Sequence, residues 1–247
     1  MKKSILILSI VSLMASCNKG QALDLSTIDF NKDSKEYGIA ELSPSRVEQQ
    51  KGHYEIAYDK SLSESEAKDL NSNVSLTLKD IGEKVTVYHF DNQKSGSDIN
   101  YHQEPLDFTF GTKIVDYNGK VSFISTSIER QKTMALITAL LSSLGKPSEM
   151  IEGRREVDSV DKNVVAQLSK VLPSAKITTD DFGNEILAFP ETVIWAKNDV
   201  LYQLTLNPTQ KDITNTLVVI SKKAFKDKII MGYHNPEQDP LLSKYIK

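Results

Sequence analysis

Between residues 37 and 124 apolar and polar side chains alternate with a period close to two, as half-buried strands require. Residues 53–58 are β-prone. Val74, Leu76 and Leu78 alternate with Ser75 and Thr77, and Val85, Val87 and His89 with Thr86, Tyr88 and Phe90. Gly82 between these runs predicts a turn. Asn118-Gly119, flanked by the runs 113–117 and 120–124, is the best hairpin signal, because both residues tolerate positive φ. Residues 61–70 predict a short helix with Ser63 and Glu66 in a capping-box relation, and residues 91–105 a polar loop.

The period then lengthens. Ile137, Leu140, Leu141 and Leu144 stand at i, i+3, i+4 and i+7, one stripe of a helix opened by a Thr126–Glu129 capping box and closed by Gly145 and Pro147. A second helix is expected over 161–172, with Val164, Val165, Leu168, Val171 and Leu172 on one face and Ser159 as its cap. Strands return at 185–189, 192–196, 200–206 and 216–221, with Asn198-Asp199 turning the middle pair, and residues 223–247 predict a loosely wrapped end. Trp195, in the apolar run VIWA, reads as core. Runs of strands broken by two helices make the class α+β: antiparallel sheet with two main helices packed on one face. The charged stretch 146–158, with Glu152-Gly153-Arg154-Arg155-Glu156, reads as a solvated linker. It separates a β-rich N-terminal unit, 37–125, from an α+β C-terminal unit, 126–247, or joins them within one domain.

The N-terminus follows neither period. Lys2 and Lys3 precede an apolar run from Ile5 to Met14, broken only by Ser9 and Ser12, and the small residues Ala15 and Ser16 follow. Charge, short apolar core and small-residue exit form a secretory signal, and the run is too short to span ~30 Å of hydrocarbon as a helix. Cys17, the single cysteine of the 247 residues, comes next. Residues 1–17 resemble the signal peptide and lipobox of a bacterial lipoprotein. Met14, where leucine is usual, is similar to the looser lipoboxes of Bacteroidota. The resemblance implies cleavage after residue 16 and diacylglycerol on the Cys17 thiol. Acyl chains at ~0.8 kcal/mol per buried CH₂ would hold two- or three-chain forms on a membrane. Asn18 in place of aspartate, and the lack of acidic residues just after Cys17, imply the periplasmic leaflet of the outer membrane. Residues 17–36 then read as a lipid-anchored tether, with 23–30 apolar enough to dock as an edge strand instead.

Composition narrows the chemistry. A net charge of −3 from 33 acidic and 30 basic residues leaves no basic field for nucleic acid. One cysteine excludes an intramolecular disulfide and a cysteine-built metal site. Gly145-Lys146 with Ser148 lacks the first glycine of a phosphate-binding loop, since Leu140 stands there. His89 and His102 flank a loop with Asp91, Asp98 and Glu104, the weak candidates for a zinc site with one open position. Asp180-Asp181 are adjacent in sequence, which does not place two carboxylates across a cleft. Asp158-Ser159-Val160 resembles the acceptor of Bacteroidota O-glycosylation, against the plainer reading of Ser159 as a helix cap. Tyr37, Tyr54, Tyr58, Tyr88, Tyr101 and Tyr117 crowd the N-terminal half and would offer a protein or a glycan one contact face if they shared it.

These readings lead to a membrane-anchored envelope protein with a non-enzymatic binding or scaffolding role and no cofactor. Its expected partners are the membrane, through the lipid, and a protein or glycan, with no nucleic acid. A periplasmic immunity protein or inhibitor is an alternative. So is an envelope hydrolase, which would need His89, His102 and Asp98 to converge.

Overall fold

A computed structural model describes residues 22–58, 74–96, 98–227, 229 and 243–245. Cys17 and the helix expected over 61–70 lie outside them. In chain order the elements are β1 (Leu23–Asp24), β2 (Arg46–Tyr58), β3 (Val74–Phe90), α1 (Gln93–Gly96), β4 (Ile99–Tyr101), β5 (Glu104–Pro105), β6 (Thr112–Tyr117) and β7 (Lys120–Thr126). There follow α2 (Thr133–Leu144), β8 (Glu149–Glu156), α3 (Lys162–Val171), β9 (Lys176–Thr179), β10 (Glu185–Lys197), β11 (Val200–Pro208), β12 (Ile213–Ser221) and α4 (Lys222–Lys226). Nine strands form one antiparallel sheet in the order β2-β3-β6-β7-β12-β11-β10-β8, with β9 also on β10. The fold is α+β, as the pattern predicts.

Alternation gives the sheet two apolar faces, and both are covered. On one, α2 and α3 lay Leu136, Ile137, Leu140, Val164, Val165 and Leu168 over Ile114, Ile124, Leu204 and Trp195. On the other, α4 and Ile229 close two smaller clusters around Val85, Val87, Val115 and Tyr117 and around Ile194, Leu201 and Ile220. The two expected units share this sheet: β7 pairs β12 from Thr126↔Leu217 to Phe123↔Ile220, so residue 125 divides neither sheet nor core.

The tether expected over 17–36 is corrected from Leu23 onward. β1 pairs in parallel with β4, and Leu25, Ile28 and Phe30 are buried with the helices in the main core. At the far end of this strap Asp33 bridges Lys120, and the Ser34 amide donates to the Gly119 carbonyl at 2.8 Å. The reason is the apolar spacing Leu25, Ile28, Phe30: a stretch this apolar gains more from burial than from solvated freedom.

Local signals fare unevenly. Asn118 and Gly119 have φ of 54° and 79° and turn β6 into β7, and Asn198, at 42°, turns β10 into β11. Gly82 does not turn the chain. β3 runs through it, and the pairing with β2 slips there, from Gln50↔Val85 to Gly52↔Asp80. The loop expected over 91–105 contains α1, β4 and β5, with Ile99 and Tyr101 buried. The charged linker is strand β8, on the edge of the sheet beside β10. Its register leaves Gly153 under Glu191, where an added Cβ would lie 2.6 Å from the glutamate Cβ, so only glycine lets the two strands close.

Both helix caps differ from expectation. Thr126 stays in β7, its hydroxyl 2.8 Å from that of Thr112, and a 3-10 turn at Arg130–Lys132 precedes α2, which has no side-chain cap. Leu140 is fully buried and Leu144 only half-buried. At α3 the cap is Asp161, whose carboxylate accepts from the Asn163 amide at 2.6 Å. Ser159 is exposed two residues upstream, and its hydroxyl donates back to the Glu156 carbonyl at 2.6 Å. Asp161→Ala should therefore cost about 1 kcal/mol, and Ser159→Ala no more than ~0.5 kcal/mol, as read from urea unfolding. The reverse order would restore Ser159 as the cap.

Candidate functional site

Strand β7 carries one residue more than its partner. Val115 pairs Phe123 and Asp116 pairs Val121, so Ser122 is the extra residue of a β-bulge, its hydroxyl donating to the Val115 carbonyl at 3.3 Å. A bulge bends the strand and ends regular pairing on its far side. Here β7 parts from β12 just beyond Phe123↔Ile220, while β12 itself stops at Ser221, whose hydroxyl caps α4 by accepting from the Ala224 amide. The parting leaves a wedge of about 470 Å³ at the end of the sheet where the turns of β6–β7 and β10–β11 lie. That volume is within the ~300–1,000 Å³ of small-molecule sites.

Several elements supply the lining. Phe30 and Asn31 come from the strap, Tyr117 from β6, Lys120, Val121 and Ser122 from β7, Asp199 from the β10–β11 turn, Val200 from the start of β11 and Lys223 from α4. The Lys223 ammonium pairs with Asp227 and lies 5.0 Å above the centre of the Tyr117 ring, whose hydroxyl donates to Asp227 at 3.0 Å. The Lys120 side chain is exposed at the mouth and forms no ion pair among the described residues. Apolar walls with amines at the mouth suit binding of an apolar body with a polar end.

The strap that forms one wall is locked at its start. His102 and Gln103, in succession at φ of 51° and 64°, point both backbone amides at the Asp24 carboxylate, at 2.9 and 3.0 Å. Ser26 adds its amide at 2.9 Å and its hydroxyl at 2.6 Å. Two successive left-handed residues make a concave pair of donors suited to an anion, and Asp24 supplies that anion from within the chain. Partial burial pushes its carboxyl up, but the Ser26 hydroxyl and the three amides outweigh this and hold it below the ordinary value. A depressed folded-state pKa stabilises above the unfolded value of ~3.9 and is lost as pH falls through the folded one. Hydrogen-exchange protection of residues 23–30 should therefore drop below about pH 4, and Asp24→Ala should lower it already at neutral pH. Equal protection in both proteins would remove the lock.

The residues singled out for metal or hydrolytic chemistry have other tasks. His89 is 4% exposed, on the face of β3 opposite Tyr88 and Phe90. The Arg46 guanidinium lies 3.3 Å from both ring nitrogens, and Glu48 is 3.4 Å from one of them. Burial, then Arg46, pushes this imidazole down, against the pull of Glu48. His102 follows Tyr101, which sits in the core of the other face, and its ring stands edge-on to the tyrosine at 5.1 Å. Burial pushes it down too. Among the described residues no three metal-ligating side chains gather, so His89 and His102 share no site with Asp98. Asp180 is occupied as a turn former: it accepts from the Phe182 and Asn184 amides and the Asn184 side chain, which hold its carboxyl low.

The tyrosines do not share a face. Tyr37, Tyr88 and Tyr101 pack on the helix-covered core, whereas Tyr117 belongs to the opposite cluster. The side chains of Tyr54 and Tyr58 lie outside the described residues. Nothing in the local pattern marks Ser122 or Lys120, and in the structure Val121 and Ile124 both face the main core, a spacing of three that a regular strand forbids.

Compared with protein-family models, curated proteins and solved structures, the chain matches none.

Proposed function

We infer that this is a lipid-anchored protein of the bacterial envelope, held by acylated Cys17 on the periplasmic leaflet of the outer membrane, with a non-enzymatic binding role. The anchor rests on the run Ile5–Met14, the small pair Ala15-Ser16 and the unique Cys17. Among the described residues no helix is long and apolar enough to cross a membrane. The binding role rests on one observation, the wedge opened by the Ser122 bulge and walled by the strap.

Two experiments test the two halves. Cys17→Ala should abolish metabolic palmitate labelling and leave an unprocessed precursor; labelling that persists sinks the anchor. For binding, the mature protein is equilibrated with a small-molecule extract of the envelope, and what it retains is identified by mass spectrometry. Retained compounds should come back chemically unchanged, and Asn31→Trp, which fills the mouth of the wedge, should lose them. Compounds consumed during the incubation would point to a hydrolase instead.

A further inference from the structure

We propose that the wedge takes a small amphipathic anion: a single aliphatic chain lodged in the cleft, ending in one carboxylate that rests on Lys120. This rests on the binding role proposed above and names the ligand class of that site. The chain is assigned by the walls. Val200 and the edge of the Phe30 ring present apolar surface where β7 and β12 part, and a chain there replaces water against carbon. The anionic end is assigned by the charges at the mouth. Lys223 is already neutralised by Asp227 and held over the Tyr117 ring, whereas Lys120 is not paired among the described residues. Asp199, on the other lip, repels an anion. A ligand with one negative end therefore has a single favourable orientation, head toward Lys120 and away from Asp199. Because Phe30 belongs to the strap, an occupied wedge also adds contacts to the segment that leads back to Cys17.

Isothermal titration of the mature chain with decanoate, decanol and acetate tests this. Decanoate should bind one per chain. Decanol, with the same chain and no charge, and acetate, with the charge and no chain, should each bind at least about tenfold more weakly, as loss of a charge-assisted contact or of the apolar burial requires. Lys120→Glu should weaken decanoate at least about tenfold and leave decanol unchanged, since the exposed side chain takes no part in the core. Asn31→Trp should abolish binding of both. Melting curves matching the wild type show that both variants fold. If decanol equals decanoate and Lys120→Glu changes nothing, the anionic head is refuted, while loss of both ligands in Asn31→Trp keeps the wedge as a binding site. Decanoate binding that survives Asn31→Trp places it elsewhere and overturns the proposal, as does the absence of decanoate binding. Neither result bears on the Cys17 anchor, which palmitate labelling decides separately.

Discussion

Asn215→Ala is expected to destabilise the protein by about 3 kcal/mol or more, far beyond what an exposed strand asparagine would cost. The side chain is 3% exposed and makes three hydrogen bonds. Its carbonyl accepts from the Ile128 amide at 2.8 Å, and its amide donates to the Ile128 carbonyl at 2.9 Å and to the Thr133 hydroxyl at 2.8 Å. That hydroxyl in turn donates to the Ile213 carbonyl at 2.8 Å. Asn215 thus stands in for a missing strand, satisfying both backbone groups of a fully buried Ile128 where the chain leaves β7 for α2. Truncation orphans both groups, at about 1–3 kcal/mol each. Asn215→Asp keeps the acceptor but loses both donors and buries a charge, so it should be least stable at neutral pH and recover as the carboxyl protonates in acid. Urea unfolding followed by circular dichroism measures each. A loss under ~1 kcal/mol for Asn215→Ala would mean that water replaces the side chain.

The same network explains why the sequence misled at this point. Thr126 and Glu129 have the spacing of a capping box, but a cap needs its residues free to enter the helix. Ile128 is fixed in extended backbone by a residue 87 positions away, which no local pattern contains. Signals that depend only on neighbours held: Asn118-Gly119 as a turn, Gly145 as the end of α2, and the apolar stripes of both helices. Signals that depend on partners did not. β8 reads as a linker because an edge strand carries charges on its open side, and only Gly153 and Ile151 betray its pairing. The strap was half legible, since Leu25, Ile28 and Phe30 are visibly apolar, but what it docks against was not. The wedge was legible only as a break in alternation at the apolar pair Phe123-Ile124, next to Ser122. Its two sides, β7 and β12, lie in distant stretches of sequence, and the strap that walls it comes from a third. His89 and His102 are near in sequence, but His89 stands on a face of β3 and His102 in the left-handed turn between β4 and β5.

Trp195→Ala should cost about 3–5 kcal/mol, the largest single effect expected from side-chain volume in this chain. Trp195 is fully buried in β10, facing the helix-covered core. It also closes a helix. Its indole N–H donates at 2.9 Å to the carbonyl of Gly145, the residue that ends α2 at φ 70° and ψ −152° and whose own amide donates to the Leu141 carbonyl at 2.9 Å. Ser148 continues the stitching, its amide donating to the Ile194 carbonyl at 2.8 Å and its hydroxyl accepting from the Ala196 amide at 3.0 Å. The two parts of the tryptophan's role separate in Trp195→Phe, which keeps most of the ring and loses only the N–H. The remaining cost should be about 1–2 kcal/mol for the lost bond and partial cavity. Because Trp195 is the one tryptophan, both variants lose intrinsic tryptophan fluorescence and must be followed by circular dichroism. Equal losses in the two variants would assign the whole effect to the Gly145 bond. A loss in Trp195→Ala below ~1 kcal/mol would mean that α2 and β10 can close over the cavity, and then the close packing that fixes α2 on the sheet would have to come from Leu136, Ile137 and Leu140 alone.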